Sequence, residues 1–171
     1  MRVMLRWFPL YCLFCLVVIF CGFINGQSSE ANKQIGQLHL NDALWIFIIN
    51  SFQIIIWFAL SPIGISVLFT VVFLYGMGQA PYGIEANPVT YYMSSFSHGI
   101  LEIFVSYIVL VFTFQQFRCF YQYLKYKDMR ILKKLYLNLI LRYIPASLIL
   151  MFIASFLEVY LSNRIFLAFI D

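Results

Sequence analysis

Between positions 43 and 79 the chain carries no charged residue at all. A bilayer hydrocarbon core about 30 Å thick is crossed by about 20 residues of helix. The uncharged run is too long for one crossing, and Ser61-Pro62-Ile63-Gly64 sits at its middle. Proline lacks a backbone donor and disfavours helix in the residue before it. The pattern therefore predicts two helices, at about 43–60 and 63–80, joined by a tight turn. A single kinked helix would overshoot the bilayer.

Three further apolar runs are of similar length, at about 7–23, 97–117 and 143–162. Composition agrees with a chain built around such runs. Of 171 residues, 63% are hydrophobic and 11% charged, where a soluble domain averages about 45–50% and about 25%. A chain this short keeps much of its surface outside any core, so the excess has to face lipid. An ordinary soluble enzyme, a disordered protein and a nucleic-acid binder are excluded. The net charge of +4 comes from 11 scattered bases and forms no footprint for DNA or RNA. The predicted fold class is all-α, a polytopic membrane helix bundle of five transmembrane helices in one domain, 1–171.

The first run follows Arg2 and Arg6. It is longer than the apolar part of most signal peptides, which favours an uncleaved helix. The alternative is cleavage near Gly26 and Gln27. The polar stretch 25–42 has no apolar period and reads as a loop. So does 79–97, with Pro81, Gly83, Glu85 and Pro88, and Ser97 as the natural N-cap of the next helix. Tyr91, Tyr92 and Met93 suit a membrane interface. Cys12, Cys15, Cys21 and Cys119 lie in or beside apolar runs, where a thiol behaves as a small apolar side chain. No disulfide framework is expected.

Charge sets the expected orientation. With five spans, Arg2, Arg6, Arg118, Lys125, Lys127, Arg130, Lys133, Lys134 and Arg142 fall on one side, and Lys33 and Arg164 on the other. The positive-inside rule places the larger group in the cytoplasm, with the N-terminus inside and the C-terminus outside. Within 118–142, Phe120, Leu124, Ile131, Leu135 and Leu139 recur at roughly helical spacing among bases. This reads as an amphipathic interfacial helix lying on anionic lipid, with a cytoplasmic partner as the alternative occupant of that face.

An ionisable group inside a span costs about 2.5–3.5 kcal/mol near the bilayer centre on the insertion scale. Glu102, with His98 one turn earlier, falls inside the fourth span, and Glu158 falls near the end of the fifth. Asn50 is a third polar insertion, in the second. Alternation of the spans puts all four in the same half of the bilayer, about 5–12 Å from the helix ends at 1.5 Å per residue. An unpaired carboxylate is not tolerated there, so His98, Glu102, Glu158 and Asn50 are expected to form a polar cluster, with His98 and Glu102 on one helix face. A structural hydrogen-bonded cluster is the plainest reading. A proton or ion path is the second, and metal ligation the third. His39 is a poor second ligand, and the paired-histidine zinc motifs are missing, so no metal or other cofactor is expected. No catalytic constellation appears, and an enzyme is not expected. Gly76 and Gly78 in the third helix and Gly99 in the fourth are expected to let those two helices approach closely.

At this point the residues resemble a family. His98-Gly99-Ile100-Leu101-Glu102 resembles the H-G-x-x-E motif of the stage II sporulation protein M family. Ala154-Ser155-Phe156-Leu157-Glu158 resembles its A-A-x-x-E ending, and Phe47 to Asn50 its F-x-N-N entry to the second helix. Ile49, Tyr75 and Ala80 stand where the family has Asn, Asn and Gly, which makes this chain a divergent, short member. The resemblance covers about 43–162. It implies a bacterial multi-pass membrane protein without established chemistry, working with cell-wall hydrolases or, in related proteins, in circular-bacteriocin maturation, export or immunity. The expected function is a non-enzymatic membrane scaffold that binds other envelope proteins of the cell membrane. Its partners are the lipid bilayer, other membrane or cell-wall proteins, and further copies of itself, not nucleic acid. The alternatives are a bacteriocin component and a transporter or channel subunit with a polar intramembrane path.

Overall fold

The computed structural model describes residues 2–26, 37–84 and 87–169, and every element among them is helical. Helix α1 runs Arg2–Gly26, α2 Leu40–Leu60, α3 Ile65–Gln79 and α4 Pro88–Tyr126. A fifth rod, α5, is helical from Met129 to Ala168. Five helices are thus long and apolar enough to cross a membrane.

The uncharged run divides where the proline predicts. A single 3₁₀ turn, Ser61–Ile63, closes on Gly64, whose φ of 76° is left-handed and favours glycine. The other connections differ from expectation. The loop expected over 79–97 is mostly helical: a 3₁₀ stretch, Ala80–Ile84, follows α3, and α4 starts at Pro88. Asn87 is its N-cap, the side chain accepting from the Val89 N–H at 2.9 Å, and Pro88 at the first helical position has no N–H to satisfy. Ser97 lies inside the helix and caps nothing.

The separate interfacial helix expected over 118–142 does not form. Residues up to Tyr126 continue α4, and Met129 begins α5. The break is Lys127, with φ 55°, followed by Asp128, whose carboxylate accepts from the Arg130 N–H. An N-cap at that point starts a new helix in a new direction, so α4 and α5 form a hairpin. At 1.5 Å per residue, 39 residues make α4 about 58 Å long, against about 40–45 Å for a bilayer with its headgroups. The amphipathic stretch Met129–Asn138 therefore stands in a hairpin reaching past the α2–α3 turn, packed on α4.

α5 is an α-helix interrupted twice by wider π-turns, Leu139–Tyr143 and Glu158–Ser162. The first has a local cause: Pro145 offers no N–H to Leu141, and its ring crowds the preceding turn.

α4 is the mast of the bundle. Half of its most apolar stretch is buried (50%), against 17–28% for the other four helices. One of its faces packs Val105, Val109 and Phe112 against Ile54, Trp57 and Phe58 of α2 and Leu135, Leu139 and Met151 of α5. The other packs Tyr107 and Leu110 against Tyr11 and Cys15 of α1 and Leu74 of α3. In lipid, apolar side chains gain little from leaving the solvent, so close packing and interhelical hydrogen bonds carry association.

The closest approach joins α1 to α3. A Cβ on Gly78 would collide with the Ile19 carbonyl oxygen and the Phe23 nitrogen, and one on Gly22 with the Tyr75 carbonyl. Gly26, one turn on, faces Gln79 and Tyr82. Gly22 and Gly26 form a G-x-x-x-G pair, the spacing that lets two backbones touch. The expectation that glycines join the third helix to the fourth needs correcting in two places. Gly78 packs on α1, and Gly76 faces open space with nothing within 4 Å of its Cβ position. Gly99 does face α3, where Met77 Cε would lie 3.3 Å from its Cβ.

Candidate intramembrane polar site

The α4 mast carries a ladder of polar side chains, and each reaches a different helix. Near the level of the α2–α3 turn, Ser61 Oγ donates to Gln116 Oε1 at 2.6 Å, and Gln116 Nε2 donates to the Tyr136 hydroxyl at 2.7 Å. Tyr143 OH donates to Gln115 Oε1 at 2.7 Å. One turn deeper, the Ser66 and Thr113 hydroxyls share a bond at 2.8 Å. Deeper again, Tyr11 and Ser106 are linked at 2.5 Å. These ties join α4 to the α2–α3 turn, α5, α3 and α1 in that order. The sequence reading passed over all of them. Glutamine, serine and tyrosine scattered in apolar runs show their pairing only once the helices are set side by side.

The four residues singled out from the sequence lie toward the opposite end. Asn50 Nδ2 donates to Glu102 Oε1 at 3.4 Å, tying α2 to α4. Beside this pair is a small cavity of about one water's size, lined by Gln53, Trp57, Phe73 and Met151 as well as Asn50 and Glu102. Glu158 stands close enough to Glu102 for the two carboxyl groups to interact electrostatically, and Tyr91 senses both.

His98 departs from expectation. It is buried, but its Nδ1 pairs with Ser162 Oγ at 2.8 Å rather than with Glu102, and Ser162 Oγ also lies 3.3 Å from Ser97 Oγ. Sharing a face at i, i+4 brought the two side chains to one side of α4; it did not decide which neighbour each one meets. The π-turn Glu158–Ser162 supplies the partner, because its extra residue rotates Ser162 toward α4. Such turns recur at functional sites. Ser162 was read only as the last residue of a span, and no sequence signal marks the wide turn.

The cluster is also deeper than expected. α2 and α4 begin earlier than predicted and α5 ends later. Asn50 is about 15 Å from Leu40, Glu102 about 21 Å from Pro88, and Glu158 about 15 Å from Ala168. Next to the cluster, Asn163 Oδ1 accepts from the Leu38 N–H at 3.0 Å, which holds the entry to α2 against α5.

Chemically, the arrangement is two carboxyl groups, one amide, one imidazole and two hydroxyls, buried or half-buried between helices. Among the described residues no group of three or more His, Cys, Asp or Glu side chains converges as metal ligands. No protein-family model matches the chain, and comparison with curated proteins and with solved structures finds no match either.

Proposed function

We propose that the protein is a non-enzymatic multi-pass scaffold or accessory subunit of a bacterial cell membrane that binds other envelope proteins, in a wall-remodelling or sporulation-type complex. The observation carrying this reading is the use of the intramembrane polar groups. Asn50, Ser61, Ser66, Gln116, Tyr143 and Ser162 each bond to a side chain of another helix. They brace a rigid platform. The likeness of the His98–Glu102 and Ala154–Glu158 blocks to the stage II sporulation protein M pattern supports the same class. The charge asymmetry supports a cytoplasmic N-terminus and hairpin, and an extracytoplasmic C-terminus.

The test places a photo-crosslinking residue at Tyr126, exposed at the hairpin tip, and another at Phe169, exposed at the other end of the bundle. Adducts with cell-wall hydrolases are the expected result in cells. Adducts with a small cationic peptide or an ATPase subunit would move the protein to bacteriocin maturation, export or immunity. Adducts with lipid or with the chain itself alone would overturn the binding role.

One observation favours a second reading, a transporter or channel subunit. The Glu158 carboxyl group makes no hydrogen bond among the described residues, yet it lies within electrostatic reach of Glu102. A carboxyl group so placed is free to take up a proton or cation. Under that reading Glu158→Gln abolishes proton flux in liposomes while the protein stays folded; absence of flux in the unmodified protein removes it.

A further inference from the structure

A groove of 1360 Å³ opens between α1, α4 and the first turns of α5. Leu10, Phe14 and Val17 of α1 form one wall, and Tyr107, Leu110 and Phe114 of α4 the other. Toward the basic end the lining changes character: Gln115, Arg118 and Gln122 from α4 meet Lys134 and Asn138 from α5. Among the described residues no acidic side chain lines the groove. Arg118 and Lys134 are exposed, and neither is paired with a carboxylate among the described residues.

We propose that this groove is a binding site for an anionic phospholipid of the leaflet on the basic side, its acyl chains between α1 and α4 and its phosphate between Arg118 and Lys134. Three observations carry the assignment. The first is depth. Ser61 bonds Gln116, and Gly64 lies against the Phe117 ring, so Arg118 is level with the α2–α3 turn, where a bilayer surface must lie. Lys134 is level with it across the hairpin, since Gln116 bonds Tyr136. The second is length. From Tyr107 to Gln122 is about 22 Å along α4, which matches one leaflet with its headgroups, about 20–22 Å. The third is charge complementarity. Two cations without a carboxylate partner and three amide side chains form a mouth suited to a phosphate, above walls that are apolar apart from the Tyr11 and Tyr107 hydroxyls, the Trp7 indole N–H and the Cys119 thiol. A small-molecule pocket is commonly about 300–1,000 Å³, and this one is larger and open along its side to lipid.

The site can be read through Trp7, which lines the groove and is 60% exposed. The full chain is reconstituted in phosphatidylcholine bilayers containing either brominated phosphatidylglycerol or brominated phosphatidylcholine at equal fraction. The Trp7 signal is the fluorescence lost in Trp7→Phe. Brominated phosphatidylglycerol should quench it more strongly than brominated phosphatidylcholine. The double variant Arg118→Gln/Lys134→Gln should lower that preference by up to roughly thirtyfold, given the pull of anionic lipid on each surface cation, with circular dichroism unchanged. Lys125→Gln/Lys127→Gln removes the same charge from the hairpin outside the groove and should keep the preference. Equal quenching by the two lipids in the unmodified protein overturns the proposal. So does a preference that survives in the groove variant, or one lost equally in both double variants, which would mean attraction to a positive surface and no built site.

Discussion

Replacing Gly78 by alanine tests the packing argument at its tightest point. One methyl group is added, and the atoms it meets are the Ile19 carbonyl oxygen, the Phe23 nitrogen and the Gly22 carbonyl carbon. All three belong to the α1 backbone, so no flexible side chain can swing aside, and α1 has to move away from α3. Forcing one extra methylene into a packed site costs about 1–3 kcal/mol. The remaining attachments of α1 are modest. The Tyr11–Ser106 bond links it to α4, and an interhelical bond in lipid averages about 0.6 kcal/mol. Phe8 also meets Tyr107 edge to face and Tyr11 meets it at a tilt, with ring centroids 5.2 and 4.9 Å apart. Cys15 reports the opening, because it is 3% exposed in the docked bundle. With Cys12, Cys21 and Cys119 changed to alanine, the labelling rate of Cys15 by a maleimide tracks the open fraction. Gly78→Ala should raise that rate roughly 5- to 150-fold, the range that 1–3 kcal/mol corresponds to. Gly76→Ala is the control. It lies in the same helix with nothing near its Cβ position, and alanine is the better helix former by about 1 kcal/mol, so labelling should not rise. If the two variants label alike, close contact at Gly78 is not what docks α1.

Three further outcomes are expected. Glu102→Gln keeps shape and an acceptor for Asn50 and should leave thermal stability in detergent within about 0.5 kcal/mol, whereas Glu102→Leu strands the Asn50 amide and should cost about 1–3 kcal/mol; equal losses would show that shape matters there and pairing does not. Gln116→Leu removes the interhelical partner of both Ser61, which keeps only the Phe58 carbonyl of its own helix, and Tyr136, so it should cost about 1–3 kcal/mol and more than Gln122→Leu, whose side chain makes no hydrogen bond among the described residues, as read by thermal denaturation in micelles. A reporter fused after Asp171 should behave as extracytoplasmic and one inserted at Lys127 as cytoplasmic; cytoplasmic behaviour at both would mean an even number of crossings and remove the shared-depth argument for the polar cluster.

Much of the architecture was legible in local chemistry. Five apolar runs and a proline at the middle of the uncharged one specify five helices and a turn, because a backbone in lipid has to satisfy its hydrogen bonds within the helix. Two further signals were present but were read otherwise. Asn87-Pro88 is an N-cap followed by a first-turn proline, which starts α4 well before Ser97. Gly26, weighed only as a cleavage position, forms with Gly22 the G-x-x-x-G face on which α1 meets α3. Polar residues inside apolar runs mark Asn50, His98, Glu102 and Glu158 by the expense of leaving them in lipid, and that expense does not depend on which helix stands opposite. Partner choice does. His98 bonds Ser162 and not Glu102 because a π-turn in α5 adds one residue to the turn and rotates Ser162 inward. The lateral order of the helices likewise decides that α4 is the mast and that Gly78 serves α1 and not α4. The groove mouth at Arg118 and Lys134 exists only because Lys127 and Asp128 fold the basic segment back on itself. Periodicity and hydropathy act along one helix, whereas these contacts arise between helices whose neighbours are set by the packing of all five.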